Sequence, residues 1–251
     1  MIKYTVLVLI LLLLYISVFL SLFLLVQNSD LQCDLHTDNT RVKQLNLQQT
    51  RKINSPVYMI SLEKDYERRN NVYKYVTPDY RVGIDGKNLN KEELTAKDII
   101  QNQELKLGEY GCYLSHCTVL KHISESNNKN PISLVIEDDI QCSFEEVNQV
   151  IENVKLLDKN SWDVIFIGHN YYETMKPKKD DSIRLVKTSK VWGMHGYLVN
   201  NANAYKYEKL FPITGPIDII LPSALNAYLI EPKVIHLDSK FCSTSNTQGI
   251  N

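Results

Sequence analysis

Residues 134–139 join a short apolar run, Leu-Val-Ile, directly to three acids, and this segment constrains the fold more than any other part of the chain. An uninterrupted apolar run of this kind predicts a strand that is buried on both faces. Glu137, Asp138 and Asp139 follow at the carboxyl end of that strand. In open α/β sheets this end of the strands borders the crevice where ligands bind. The segment therefore predicts an α/β domain with an acidic ligand site.

The three adjacent acids indicate a metal site, because neighbouring carboxylates repel one another unless a cation lies between them. Ligand sets made only of oxygen atoms favour Mg²⁺ or Mn²⁺, and these ions usually share their coordination with substrate phosphates. The alternative is a solvated acidic turn in which Asp139 or Ser143 caps the following helix. This segment alone leaves both interpretations open.

The first 26 residues form a distinct segment that predicts a membrane anchor. Residues 5–26 carry no charge, and about 22 helical residues span roughly 33 Å, enough for the hydrocarbon core of a bilayer. A cleaved signal peptide would end in small residues, whereas Gln27 and Asn28 follow here. Lys3 precedes the segment and Asp30 follows it. The positive-inside rule then predicts a single-pass, type II membrane protein with its body outside the cytoplasm, as in the ER or Golgi lumen.

The rest of the chain divides into a stem and one catalytic domain. Residues 27–55 are polar and predict a stem, since they hold too few apolar residues to offset the entropy lost on ordering. Residues 56–251 are long enough to bury a sizeable core. Strand-like segments within them lie at 56–62, 132–136, 162–168, 196–199 and 234–237. Helix-like segments alternate with these at 63–69, 92–105, 114–123, 144–157 and 201–210. Such alternation predicts an α/β domain on a largely parallel or mixed sheet.

Charge and motif content exclude several classes of function. The net charge is -1, so we expect no nucleic-acid partner, which would require a basic face. The chain contains no G-x-G-x-x-G, P-loop, G-x-S-x-G or H-E-x-x-H motif. Its five cysteines include no C-x-x-C pair, which argues against a structural zinc site. These absences favour metal–diphosphate chemistry.

Seven segments, taken in order, resemble glycosyltransferase family 25. This family includes bacterial lipooligosaccharide galactosyltransferases and collagen hydroxylysine galactosyltransferases. The segments are residues 57–62 with Arg68 and Arg69, 81–87, 108–116, 134–139, 162–168, 193–200 and 216–218. Residues 108–116, Gly-Glu-Tyr-Gly-Cys-Tyr-Leu-Ser-His, match the most recognisable motif of the family, G-E-x-G-C-x-L-S-H. The resemblance covers essentially all of residues 56–251.

The resemblance implies a GT-A-type, Rossmann-like domain and an inverting transfer of a hexose, galactose or glucose, from a UDP-sugar to a hydroxyl of a glycan or glycoprotein. It also implies a Mn²⁺ or Mg²⁺ cofactor that neutralises charge on the leaving diphosphate. Asp139 is the expected metal ligand, with Glu137 beside it. His236 would complete the coordination sphere or be an ordinary histidine at the end of a strand.

The other expected site residues serve the proton transfer and the nucleotide. Inversion requires a base for the acceptor hydroxyl, and Asp218 is the candidate; its alternative role is to cap the helix that begins near Ile219. Nucleotide contacts are expected from residues in the matched motifs: Ser61, Arg68, Arg69, Gly111, Ser115, His116, Glu137 and Asp138. The alternatives are that Arg68 and Arg69 merely solvate a helix, and that Ser115 and His116, on a loop-to-helix segment, are a purely structural pair. Trp192 would stack on the acceptor sugar or fill the core, and the core is the favoured interpretation.

A second hypothesis is a catalytically silent, membrane-tethered protein that keeps the fold for binding or scaffolding. Ser61, which stands where the family commonly has Asn, and the altered tail at residues 243–251 favour it. The intact acidic run at residues 137–139 favours an enzyme.

Overall fold

The structure is a computed structural model that describes residues 53–102, 104–127, 129–170 and 184–241. The predicted anchor at residues 1–26 and nearly all of the predicted stem at 27–55 lie outside these residues. Among the described helices, none combines the length and the hydropathy required to cross a bilayer.

Strands and helices alternate along most of the described chain. In chain order the elements are β1 (Val57–Ile60), α1 (Tyr66–Val72), β2 (Tyr80–Val82), a first 3-10 helix (Gly86–Asn88), α2 (Lys91–Ala96), α3 (Leu107–Glu125), β3 (Ile132–Glu137), β4 (Ile140–Cys142), α4 (Phe144–Val154), β5 (Val164–Asn170), β6 (Arg184–Lys187), β7 (Trp192–Asn200), a second 3-10 helix (Asn201–Leu210), α5 (Ile217–Ala224), β8 (Ala227–Glu231) and β9 (Ile235–Leu237).

The described residues form a seven-stranded sheet in the order β2-β1-β3-β7-β5-β8-β6. Strands β2, β1, β3, β5 and β8 run in one direction, and β7 and β6 run in the other. Strands β4 and β9 form a separate two-stranded sheet. The prediction of an α/β domain with a mostly parallel sheet is therefore confirmed.

Strand β3 is buried on both faces, as its apolar sequence predicts. Leu134, Val135 and Ile136 are each at most 1 % exposed. Helix α4 covers this part of the core with four buried side chains at helical spacing: Val147, Val150, Ile151 and Val154. Burying one such aliphatic side chain contributes roughly 1.5–3 kcal/mol. The core thus fixes β3, and with it the position of the three acids that follow.

Two predicted helices differ from the observed ones. The helix predicted at 92–105 ends at Ala96, because Asp98 adopts a left-handed backbone conformation with φ 54°, which no continuing α-helix accommodates. The segment Asn201–Leu210 is helical, but it is a 3-10 helix.

Candidate active site

A pocket lies at the carboxyl ends of β1 and β3. These two strands are parallel, with Ile60 opposite Glu137, so the residues that follow each strand meet at the same edge of the sheet. The lining residues come from the segment after β1, the turn before the first 3-10 helix, the first turns of α3 and the acidic run: Ile60, Ser61, Leu62, Lys64, Asp65, Arg68, Ile84, Asp85, Gly86, Gly108, Cys112, Ser115, Glu137, Asp138 and Asp139. The fold therefore brings the predicted acids and Ser61, Arg68 and Ser115 to one pocket.

Arg68 of α1 forms ion pairs with two of the three acids. Its Nε lies 3.0 Å from Asp138 Oδ1, and its Nη2 contacts Asp139 Oδ2. The side chains of Arg68 and Asp138 are only 11% and 6% exposed. Because a guanidinium is always charged, it compensates part of the negative charge of the acidic run from within the chain.

Burial nevertheless keeps all three acids less acidic than usual. Burial raises the pKa of Glu137 to about 7, and Arg68 partly offsets this effect. Burial likewise raises the pKa of Asp138 to about 7. Burial, followed by repulsion from Glu137, raises the pKa of Asp139 to about 6. One guanidinium therefore does not bring these pKa values down to their usual range, and a bound cation would favour the ionised form of all three acids.

Asp139 has the features expected of a metal ligand. Its Oδ1 atom is buried and accepts no hydrogen bond from any described residue. Of the two caps named in the alternative, Ser143 is confirmed, since it caps α4 by accepting a hydrogen bond from the backbone N–H of Glu146 at 3.3 Å, and Asp139 is not the cap. The oxygen set of the acidic run fits Mn²⁺ or Mg²⁺.

Arg69 differs from its neighbour, because its donors bind the backbone that follows β1. It donates to the carbonyl oxygens of Leu62 and, at 2.7 Å, Glu63, and to Ser61 Oγ at 3.2 Å. Arg69 and Ser61 are both buried. These contacts hold the pocket wall in place, and the nucleotide contacts predicted for both residues stay predictions.

Gly111 and Ser115 lie within helix α3, which begins at Leu107, so the loop-to-helix location expected for Ser115 and His116 is wrong. Ser115 Oγ accepts a hydrogen bond from the backbone N–H of Ile84 at 2.8 Å. A Cβ at Gly111 would lie 2.5 Å from the carbonyl oxygen of Ile84. Both residues therefore let the pocket wall at 84–86 approach α3. Their predicted nucleotide contacts stay predictions.

His116 connects helix α3 to the acidic run. It is fully buried, its Nδ1 lies 3.0 Å from the Tyr197 hydroxyl, and its Nε2 lies 3.4 Å from Glu137 Oε1. Burial lowers its pKa to about 3, so the imidazole is neutral at physiological pH. A neutral ring has one N–H to donate, and the positions of Tyr197 and Glu137 determine how His116 is oriented.

Asp218 lies in the first turn of α5, a helix that contacts β7 and α3, and it is absent from the lining of the pocket. Pro216, not Asp218, occupies the N-cap position, so the capping alternative is wrong. The backbone N–H of Gly193 donates to the Asp218 carboxylate, while burial raises the pKa of this acid. The charge of Asp218 also acts on Glu137 and His116. Asp218 is thus near the acidic run, as a base for the acceptor would have to be.

Trp192 is 57 % exposed, so the favoured prediction that it fills the core is wrong. It lies between two residues that bind Asp218: Val191, whose N–H donates to the Asp218 carbonyl oxygen at 3.2 Å, and Gly193.

His236 has an exposed side chain on β9, where it is paired with Gln141. It is absent from the lining of the pocket described above. The same segment does support the site, since the N–H of Asp238 donates to the Asp139 carbonyl oxygen at 2.7 Å. The role of His236 as a metal ligand stays a prediction.

Several residues of the site were not predicted, among them Cys112 and Tyr197. Cys112 lines the pocket and Tyr197 orients His116. The G-E-x-G-C-x-L-S-H motif contains Cys112, but Tyr197 lies on a distant strand and no local pattern indicates its contact.

Comparisons with known proteins identify the family of this chain. The model of the family described as Glycosyltransferase family 25 (LPS biosynthesis protein) matches residues 54–221. Procollagen galactosyltransferase 2 of Mus musculus is 26% identical over 192 residues, which cover 68% of this chain and 30% of the relative. Procollagen galactosyltransferase 1-B of Xenopus laevis is 27% identical over 208 residues, which cover 73% of this chain and 33% of the relative. A glycosyltransferase 25 family member of Aedes aegypti is 27% identical over 213 residues, covering 74% and 33%.

The chain spans about a third of the length of the curated relatives it matches. The family match covers both the acidic run and Asp218. The chain therefore belongs to glycosyltransferase family 25.

Proposed function

We propose that this chain is an inverting glycosyltransferase of GT-A type that transfers a hexose, galactose or glucose, from a UDP-sugar to a hydroxyl of a glycan or glycoprotein. The observation that carries the proposal is the group of three acids at the end of β3, which line one pocket within the residues that match the family. The relatives named as procollagen galactosyltransferases support galactose as the first donor to test.

A divalent cation is part of this proposal. Asp139, through its unpartnered Oδ1, and Glu137 would hold Mn²⁺ or Mg²⁺, with His236 as a predicted third ligand. When bound, the cation supplies positive charge to the leaving diphosphate. Arg68 orients Asp138 and Asp139 through its ion pairs, so the chain itself positions the ligand atoms.

The N-terminus of helix α3 is a second feature that would attract the donor diphosphate. Gly108, in the first turn of this helix, lines the pocket. The first N–H groups of a helix have no partner within it and favour bound phosphate. Lys64 also lines the pocket, paired at 3.1 Å with Asp85, and adds a positive charge.

The acceptor would approach from the side of β7. Asp218 is proposed to take the proton of the acceptor hydroxyl while the sugar transfers to that oxygen with inversion. Its raised pKa suits a base that must hold this proton. The exposed indole of Trp192, flanked by the two contacts to Asp218, offers an aromatic face for the acceptor sugar.

A silent binding protein is the second candidate function, and one observation favours it. Arg68 already pairs with Asp138 and Asp139, so the acids have a cation within the chain. A protein of this kind would bind its ligand without metal and would release no UDP.

We also propose that residues 1–26 anchor the chain in a membrane as a type II protein, with the catalytic domain lumenal in an ER- or Golgi-like compartment. The uncharged run at 5–26 and Lys3 before it support this orientation. Protection of the domain from protease in sealed vesicles tests it, and digestion in intact vesicles would overturn it.

The test of the enzymatic proposal is UDP release by the full chain with a panel of UDP-sugars, Mn²⁺ and a mixture of glycan and glycoprotein acceptors. We expect turnover with a UDP-hexose that stops in EDTA and resumes when Mn²⁺ is returned. Folded protein that binds UDP equally well with and without EDTA, and releases none from any donor, would support the silent candidate.

A further inference from the structure

We propose that Cys112, His116 and Glu137 form a second metal site, selective for a borderline-soft divalent cation such as Zn²⁺ and distinct from the oxygen-only site at Asp139. One ligand atom from each residue, a sulfur, a nitrogen and an oxygen, lies within 4.8 Å of the other two. The proposal does not depend on the enzymatic function, since the site is defined by its ligands alone.

Two structural elements bring the ligands together. Cys112 and His116 are one turn apart on α3, so their side chains lie on the same face of that helix. Glu137 is the last residue of β3 and its Oε1 lies 3.4 Å from His116 Nε2. Both elements are fixed by the core, so the three ligands are held in place before any metal binds.

His116 provides the independent indication that a ligand belongs here. Its side chain is 0% exposed, and its Nε2 atom makes no hydrogen bond with any described residue. The other ring nitrogen, Nδ1, lies 3.0 Å from the Tyr197 hydroxyl. Metal-binding histidines usually have this arrangement, in which a second group engages one nitrogen and orients the other toward the metal.

The chemistry of the three ligands distinguishes this site from that of Asp139. Thiolate and imidazole favour Zn²⁺, whereas oxygen-only sets favour Mg²⁺ and Mn²⁺. Cys112 lines the pocket, so the metal would be reached from there and would keep a coordination position open to it. Because both proposed sites use Glu137, bound Zn²⁺ would compete with Mn²⁺ for this carboxylate. Zn²⁺ would therefore inhibit any Mn²⁺-dependent activity.

The test is a titration of the full chain with Co²⁺, which reports a cysteine ligand by thiolate-to-cobalt charge-transfer absorption. We expect one Co²⁺ per chain with this absorption, and its displacement by Zn²⁺ but not by Mn²⁺. Cys112→Ser removes the absorption, and Tyr197→Phe weakens Co²⁺ binding by about 10-fold or more. Cys117→Ser, a matched change at a buried free cysteine of the same helix, leaves the absorption intact. Asp139→Asn also leaves it intact, because Asp139 contributes no ligand to this site.

A second measurement on the unmodified chain removes any dependence on the folding of the variants. Alkylation of each cysteine by iodoacetamide is followed by mass spectrometry, with and without Zn²⁺. We expect Zn²⁺ to slow the alkylation of Cys112 and Mn²⁺ to leave it unchanged. Folded protein that shows neither the Co²⁺ absorption nor protection by Zn²⁺ would overturn the proposal, as would an absorption that persists in Cys112→Ser.

Discussion

The β1 side of the candidate site (Arg68, Asp138 and Asp139) and its β7 side (His116, Glu137 and Asp218) balance negative charge in different ways. On the β1 side a buried guanidinium contacts both carboxylates. On the β7 side Glu137 has a neutral imidazole beside it, and Asp218 has a backbone N–H. Each of these four carboxyl groups has a raised pKa, with burial as the largest cause.

The difference indicates that the two sides of the site have different roles. A permanent charge is suited to fixing the geometry of the acids, because it does not change with pH. Carboxylates without such a partner can bind a cation or, when ionised, accept a proton, and burial raises the pKa of both Glu137 and Asp218. We therefore propose that the β1 side positions the metal ligand Asp139, and that on the β7 side Glu137 completes the metal site while Asp218 takes the proton of the acceptor.

The largest effect is expected from Asp218→Asn, which removes the proposed base from the β7 side. Turnover should fall roughly 10²- to 10⁴-fold, while binding of UDP with Mn²⁺ stays unchanged. Steady-state rates and calorimetric UDP titrations measure the two quantities. Asp158→Asn, a neutral replacement at an exposed acid, is the matched control. Equal losses of turnover and UDP binding would assign Asp218 to nucleotide binding, and would contradict the different roles of the two sides.

The next effect concerns the β1 side and compares two arginines. Arg68→Met leaves Asp138 and Asp139 buried without their partner, and should lower the free energy of unfolding by about 3–5 kcal/mol. Arg81→Met breaks an ion pair between Arg81 and Glu63, whose side chains are 33% and 84% exposed, respectively. It should lower the free energy of unfolding by less than about 1 kcal/mol. Urea unfolding of both variants measures the difference. Equal losses would mean that Arg68 does not compensate the buried acids.

The pH dependence follows from the raised pKa values of Glu137 and Asp138, both about 7. The folded chain holds these protons more tightly than the unfolded chain, so stability without metal falls as pH rises from about 4 to about 7. Mn²⁺ needs the ionised carboxylates. Its stabilising effect should therefore grow as pH rises through about 7. Thermal unfolding at about pH 6 and about pH 8, with and without Mn²⁺, measures this; a larger effect at the lower pH would contradict it.

The smallest effect is expected at the acceptor end of the β7 side. Trp192→Ala should raise KM for the acceptor roughly 3- to 10-fold and leave KM for the donor unchanged, because only the acceptor sugar would stack on the indole. Tyr205→Ala is the matched control, since Tyr205 is an aromatic residue with the same 57 % exposure on the second 3-10 helix. A rise in the donor KM would assign Trp192 to the nucleotide instead.

Local sequence predicts the centre of this site well. The apolar run before Glu137 identifies β3, and the strand is buried as expected. The strand at 162–168 also corresponds to an observed one, β5. Both are strong signals because continuous apolar runs of this length are typical of strands buried on two faces.

The sequence does not predict contacts between distant segments. Arg68 is 71 residues from Asp139, and their pairing depends on the parallel register of β1 and β3. His116 was expected on a loop-to-helix segment, yet α3 begins at Leu107, and Gly111 allows the close approach of this helix to Ile84. Strand β8 was not predicted, and only Leu225 and Asn226 separate it from α5.

The proposed function depends most on the claim that the acids after β3 bind a divalent cation, and that UDP binding requires this cation. Calorimetric titration of UDP into the full chain tests it, with Mn²⁺, with EDTA and in Asp139→Asn, using Glu152→Gln on the surface of α4 as the control for loss of charge. We predict UDP binding in Mn²⁺ that is lost in EDTA and in Asp139→Asn and retained in Glu152→Gln. UDP binding of equal strength in all four titrations would contradict the claim.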